Sequence, residues 1–541
     1  TSSLSKTLEQ KLSSNSRAWE NLQINPQHLN LLNEFPSNFN LIILHHSEDS
    51  RSVLYGAILE KPKSNTGQKP KGNQLSGVST RAKVACATVN ARTFSCLLEK
   101  VQLYKQEMMQ LLLKRQYQFR KKAQQNKVEK LQKDSQKLET VKKGAGATTQ
   151  DECKLIADFC DIVKAVEDYL KPVLSQLDLS SLWQHSPQVS AKDSKKTKEK
   201  ESAADKGMQG EPINIGECAI LLVDKLLMEL PLEALKVLQE GGICSVSRDF
   251  SLQILYNRLH REEPVESSTK KDAKGAKKDS SAKGDKKKTK MVSVGPVLPQ
   301  NCIPVDANFL KYIVDPYNDA SYLGATNCLN KMAEILVNYG QQFTPRWEGT
   351  VGSLHVPSHA EWEQMLTNCS AFIFCGTERV LASFSPFKLA AMNLSACQIM
   401  ILLDLVQTSH SFFRQSKLDI EKSALNLSLE RPLETAILLS LTGIRCIMAN
   451  QWHSILEQNV QTLEILTENL LKVGKASGQA VCTLKSGVHN LTMEKKCPVG
   501  PDALHEETNK QENLTEPKDQ DKILPSAFNY VLYGLPNLVI I

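Results

Sequence analysis

No stretch of this chain stays apolar for the roughly 18–20 residues that a membrane-spanning helix needs. Nothing near Thr1 has the charged, then apolar, then small-residue order of a signal peptide. No membrane partner is therefore expected. Cysteine is not scarce, at 14 residues, but no Cys-x-x-Cys occurs and no His/Cys cluster has zinc-site spacing. Neither a metal nor another cofactor is expected. Most thiols, Cys160, Cys218, Cys375 and Cys446 among them, sit inside apolar runs, where a free thiol acts as a small hydrophobe. The reading is a reduced, cytoplasmic protein, in which the five Asn-x-Ser/Thr triplets are chance matches. Aromatics are few, at 6% of residues, and none interrupts the main block of positive charge. Between Lys270 and Lys290 ten lysines face only Asp272, Asp279 and Asp285, a local excess of seven that equals the net charge of +7. The rest is near neutral, so no nucleic-acid partner is expected.

What is present is length and a core. The 541 residues suggest two to four domains, at roughly 100–200 residues each. Thr1 in place of Met suggests a processed chain or a piece of a longer one. Asn537–Ile541 reads as an end tucked into structure, because in water it would be sticky.

The chain is organised around Ser370–Trp452. Three short apolar runs, Ala371–Gly376, Gln398–Leu403 and Arg445–Ala449, read as strands buried on both faces, the habit of parallel strands. Pro432–Thr442 between them has helical composition and stops at Gly443. A β–α–β–α–β series puts every strand's C-terminal end on one edge, where chemistry in such folds sits. Thr377 and Leu405 stand there.

Along the chain, residues 1–34 read as a helical lead-in and residues 35–60 as a hairpin with strands Asn40–His45 and Val53–Leu59. Lys61–Thr80 reads as a loop. Residues 93–183 read as an inserted antiparallel helical hairpin: a heptad-like helix to about residue 142, a break at Gly144-Ala145-Gly146, and a second helix from about Asp151, closed by Pro172. Residues 184–212 have the composition of a disordered linker. Residues 213–541 form the main unit, with disordered insertions at about 261–296 and 485–522. Within it strands are expected at Ile213–Val223 and Phe309–Val314, and a last strand pair in Phe528–Ile541. Helices are expected at Leu232–Glu240, from Ser251 to Leu259, and at Asn327–Gly340, Ala360–Leu366 and Leu456–Val473. Trp347-Glu348-Gly349 reads as the start of a connection.

Eight local signatures occur in an order that resembles the separase-like cysteine peptidases of the caspase-like clan, which include CHAT domains. They are Phe35-Pro36-Ser37-Asn38-Phe39 with Leu54-Tyr55-Gly56, Leu230-Pro231-Leu232-Glu233, Val246–Leu252, Tyr312–Asp319, Trp347-Glu348-Gly349, Phe372–Gly376, Ala449-Asn450-Gln451-Trp452 and Tyr533-Gly534-Leu535-Pro536. The resemblance covers about residues 35–60 and 213–541. It implies an α/β fold with a caspase/separase-like, mostly parallel sheet and flanking helices, plus the inserted helical hairpin and disordered Lys-rich loops.

It also implies a catalytic His after Cys-Gly and a nucleophilic Cys at the end of the next strand. Here Thr377 follows Cys375-Gly376, and counting through Ile401–Asp404 puts Leu405 at the second position. A threonine hydroxyl is no base near neutral pH and leucine has no nucleophile. Leu394-Ser395-Ala396-Cys397 matches the family's nucleophile motif literally, but its apolar run follows the cysteine, so Cys397 begins its strand at the far edge. Cys375 reads as a core thiol. The expectation is a non-catalytic module; the rival is an active peptidase using Cys397 or Cys375 with His410. Within the family, the chain looks most like the C-terminal part of a large repeat protein of the ciliary axoneme's central apparatus, which implies other axonemal proteins as partners. Two basic segments suggest further acidic partners, tubulin tails or calmodulin. One holds Lys114, Arg115, Arg120, Lys121 and Lys122; the other holds Lys277, Lys278, Lys286, Lys287 and Lys288.

Overall fold

The computed structural model describes residues 18–22, 31–49, 51–60, 81–132, 146–179, 215–239, 242–260, 301–322, 328–339, 346–352, 355–382, 384–491 and 525–541. The loop 61–80, the linker 184–212, the insertion 261–296 with all its lysines, nearly all of the lead-in, and residues 492–522 lie outside them.

Thirteen strands are described: β1 (Phe39–His46), β2 (Val53–Glu60), β3 (Arg81–Thr88), β4 (Glu217–Val223), β5 (Ile243–Asp249), β6 (Ile303–Val305), β7 (Leu310–Val314), β8 (Glu348–Val351), β9 (Ala371–Cys375), β10 (Ile399–Leu403), β11 (Cys446–Asn450), β12 (Tyr530–Gly534) and β13 (Leu538–Ile540). The helices used below are α1 (Ala91–Gln132), α2 (Gly146–Leu177), α3 (Leu252–Leu259), α4 (Cys328–Tyr339), α5 (His359–Thr367), α6 (Pro386–Ala390), α7 (Ser409–Ile420), α8 (Ala424–Leu429), α9 (Pro432–Leu441), α10 (Leu456–Thr467) and α11 (Ser477–Leu491).

Eleven strands make one sheet in the order β3-β2-β1-β4-β5-β12-β11-β10-β9-β7-β8. Only the β1/β2, β2/β3 and β11/β12 ladders are antiparallel, so the sheet is mostly parallel, with helices on both faces. The α/β class expected from the three apolar runs is what the chain adopts. The antiparallel step at β11/β12 has a consequence the runs could not reveal: β1, β4 and β5 point opposite to β7 through β11. The sheet therefore has two blocks whose C-terminal strand ends lie on opposite edges.

The apolar runs are continuous because both faces are covered. Phe372, Phe374, Met400, Leu402, Ile447 and Ala449 pack under α1, α2, α5 and α9. The alternate residues Ile373, Cys375, Ile399, Ile401, Cys446 and Met448 pack under α4, α10 and α11. Local signals set the helix starts. Ser358 and Glu361 form a capping box on α5, Thr408 and Ser411 one on α7, and Pro432 opens α9 at its first turn.

Several expectations need correction. The N-terminal hairpin is a three-stranded meander, because β3, rich in Ala and carrying Arg81 and Lys83, has too little apolar alternation to read as a strand. Val246–Asp249 is strand β5 rather than a lead-in to α3; its charged residues Arg248 and Asp249 are buried in pairs described below. Trp347-Glu348-Gly349 opens edge strand β8, whose exposed residues hide the pattern. In place of the helix expected at Leu232–Glu240 there are two short helical turns, Leu232–Ala234 and Lys236–Gln239, with Glu240 outside the described residues. Pro172 does not end α2, since Val173 and Leu177 beyond it are fully buried against Gly56, where an added Cβ would meet them at 2.3 and 2.9 Å. Lys485 lies within α11, which runs to Leu491. The last two strands do not pair with each other: β12 joins the large sheet, and β13 pairs with β6.

The root of the α1/α2 helical hairpin is part of the core. Tyr104 of α1 and Phe159 of α2 sit 6.0 and 5.8 Å, ring to ring, from Trp452 at the end of β11, and Phe159 stacks on Phe528. His46 at the end of β1 bridges Asp224 after β4 (2.7 Å) and the Tyr169 hydroxyl of α2 (2.8 Å).

Candidate functional site

The edge of interest is where β7, β9, β10 and β11 end. The register pairs Leu403 with Cys375 and Val314 with Cys375, so the residues that follow emerge side by side. Thr377 and Leu405 are both there, as counting along the runs led one to expect. The Gln407 amide donates to the Thr377 carbonyl (2.9 Å) and the Ser454 amide to that of Leu405 (3.0 Å).

Four consecutive residues after β9 reach out to the turn after β7, to α7 and the end of α8, and to the end of β10. The Thr377 hydroxyl donates to Asp319 (2.7 Å) in the turn after β7. Glu378 accepts from the Arg414 guanidinium of α7. Arg379 donates to both oxygens of Asp419 (2.8 Å each) in α7 and to Glu430 (3.0 Å) after α8. The Val380 amide donates to Asp404 (3.0 Å) after β10. Arg414 also donates to Asp319 and lies 3.7 Å above the Tyr317 ring. Lys422 completes the network on Asp419, Glu430 and the Ala382 carbonyl.

Six carboxylates, of Asp315, Asp319, Glu378, Asp404, Asp419 and Glu430, meet three cations, Arg379, Arg414 and Lys422, in this network. The three cations offset only part of the charge, and burial without a full counter-charge raises a carboxylate's affinity for its proton. Burial pushes Glu378 up to about 7, against the pull of Arg414 and with Asp319 adding repulsion. Burial likewise pushes Asp404 up to about 7, since its amide partners and Arg379 offset only part of the cost. Asp315 rises as well, mainly from burial, while its carboxylate accepts from the Asp319 and Ala320 amides.

The backbone is unusual here. Asp315, Leu405 and Gln407 have φ of 42°, 59° and 48°, the left-handed region, at the ends of β7 and β10. Leu405 is nonetheless buried, at 5% exposed. Beside the network lies a small cleft of about 30 Å³, open to solvent, whose walls include Tyr317, Pro357, Trp362, Phe374 and the Thr377–Val380 segment.

The other sequence candidates are scattered. Cys375 ends β9 with no exposed surface. Cys397 precedes β10, on the edge away from Thr377, also without exposure; its thiol is raised well above the usual value by a hydrogen bond with Cys369 and by burial. His410 is exposed in the first turn of α7. Lys114 and Arg115 face Asp151 and Glu152 of α2 at 4.0 and 2.9 Å, and Lys121 is exposed further along α1. Arg120 and Lys122 lie on α1, and their side chains, with the lysines 277, 278 and 286–288, are outside what is described.

Asp319, Glu378, Arg379 and Arg414 were not singled out from sequence, because the pairs are 36 to 95 residues apart. One signal was available: Glu378-Arg379 is a charged pair immediately after a buried run. His453, just beyond β11, was also missed; desolvation first, then Arg379, pushes it down to about 4, so it is neutral.

No protein-family model matches the chain. Among solved structures it is similar to the Saccharomyces cerevisiae separase–securin complex, in crystal structures at 2.6 and 3.0 angstrom resolution. Both matches have 13% sequence identity and a TM-score of 0.45, covering 97% and 95% of this chain and 31% of the other. The chain thus spans about a third of the length of those separase chains.

Proposed function

We propose that this chain is a non-catalytic, separase-like α/β module that serves assembly rather than peptide hydrolysis. The observation that carries the reading is the occupancy of the two strand ends. At the first, Thr377 has its hydroxyl committed to Asp319; at the second, Leu405 is buried and offers no nucleophile. The buried thiols Cys375 and Cys397 favour the same reading, because a thiol nucleophile must be reachable and held as the thiolate. The rival, a peptidase using one of them with His410, is tested with an irreversible thiol-directed peptide mimic. We expect no covalent adduct on the folded chain; an adduct on Cys375 or Cys397 that disappears in His410→Ala would overturn the reading.

On its ordered signatures the chain resembles the C-terminal part of cilia- and flagella-associated protein 46. We read it accordingly as a scaffold element of the axonemal central apparatus, with other axonemal proteins as its partners. A tagged chain expressed in ciliated cells should concentrate along the axoneme. An even cytoplasmic distribution would contradict that assignment and leave the non-catalytic reading standing.

A further inference from the structure

We infer that α7 and α8 form a strap, held over the strand ends by charge rather than by a core, which opens as a unit without global unfolding. Within α7 only Ser411 and Gln415 are buried, and in α8 nothing is. Meanwhile Phe412, Phe413, Leu418, Ile420 and Leu425 are exposed, Phe413 at 71% and Ile420 at 83%. Eighteen helical residues with this distribution contribute little apolar burial, and burial is what normally ties a surface helix down.

The fastenings are polar and come in two sets. Arg414 reaches from α7 to Asp319 and Glu378 and lies over Tyr317. On the other side, Arg379 and Lys422 share Asp419 and Glu430. The entry to α7 passes through Leu405 and Gln407, two residues held in the left-handed region. Such residues cost energy in the closed form and are relaxed by opening. Release of Arg414 would also uncover Tyr317 and Glu378, both in the walls of the open cleft. Elements with few buried apolar contacts sit at the low end of local stability, and the partial exposure of Arg379, Arg414 and Lys422, at 27, 27 and 17%, leaves these pairs within reach of salt.

The test is hydrogen exchange on the full chain, read by mass spectrometry. Amides of 409–429 should exchange on the order of 100-fold faster than those of β9–β11, as a separate opening unit. Raising salt from about 0.05 M to about 0.5 M should speed that segment by roughly 3–10-fold and leave β9–β11 unchanged, because only the fastenings are electrostatic. Arg379→Gln with Arg414→Gln should reproduce the salt effect at low salt. Exchange of 409–429 in step with β9–β11, or indifference of the wild-type segment to salt, would overturn the proposal, and the salt arm needs no variant to fold. The inference holds whether or not the edge beneath the strap is catalytic.

Discussion

At the scale of single residues, Asp404 carries a clear consequence. Its folded pKa is about 7, above the ordinary carboxylate value, so the folded state holds a proton that the unfolded state has released. A group with a raised folded pKa gives its stability fully below the unfolded value and loses it as pH rises to the folded one. Between about pH 4 and 7 the protein should therefore lose stability on this account. Asp404→Asn keeps an acceptor for the Val380 amide and removes the titration. The variant should be more stable than wild type at pH 8, by on the order of 1–3 kcal/mol, with a flatter pH profile. Denaturant titrations at pH 5 and pH 8 check this; equal pH slopes in the two proteins would contradict it. Thr377→Val removes one buried donor and leaves Asp319 to Arg414, and should cost about 1–2 kcal/mol.

At the scale of elements, the α1/α2 helical hairpin behaves as a layer of the core at its root. Trp452→Ala would empty the space between Tyr104, Phe159 and the sheet, and should cost about 3–5 kcal/mol. Proteolysis within α1 and α2 should accelerate in the same variant; an unchanged cleavage rate there would mean the hairpin docks without the aromatic cluster. By contrast Phe413→Ser on the strap should shift stability by no more than about 0.5 kcal/mol, since that ring touches little.

Which elements were legible follows from what each buries. β9, β10 and β11 were readable because both faces are apolar, and α5 and α9 carry local start signals, the Ser358–Glu361 capping box and Pro432; α7, whose apolar side chains are exposed, was not expected. β5 was not, because Arg248 and Asp249 look like surface residues. In fact Arg248 is fully buried on Glu233 and the Met228 and Leu230 carbonyls, and Asp249 on Arg258. Burial of charge against charge leaves no hydrophobic pattern. The strand-end network escaped for the same reason, compounded by the long sequence separation of its members. Only the two positions reached by counting along an apolar run, Thr377 and Leu405, could be placed beforehand.

At the scale of the whole molecule, the sheet reverses direction between β11 and β12, and β12 joins β5 in parallel through a ladder reduced to the pair Tyr533 and Arg248. Side chains compensate for the thin ladder. Arg258 donates to the Ile444 and Arg445 carbonyls and to the Ser440 hydroxyl, so α3 of one block grips the start of β11 in the other. On α11, Ser477 donates to the Leu535 carbonyl, while Gly478 sits against Ser245 and Pro536, with no room for a Cβ. Arg258→Ala strands Asp249 without its charge partner in the interior and should cost about 3–5 kcal/mol. Loss of a single cooperative transition in that variant would show that this junction couples the two blocks.

The edge where β9 and β10 end is the centre of the account, and the kinetics of cysteine alkylation test it most directly. Iodoacetamide labelling of the native chain, resolved residue by residue between pH 6 and 8, separates core thiols from a catalytic thiolate. The account predicts that Cys375 and Cys397 react only as fast as the protein opens, orders of magnitude below an exposed thiol such as Cys86, and become ordinary in denaturant. Rapid native-state labelling of either at pH 6, ahead of Cys86, would reveal an activated nucleophile and contradict it.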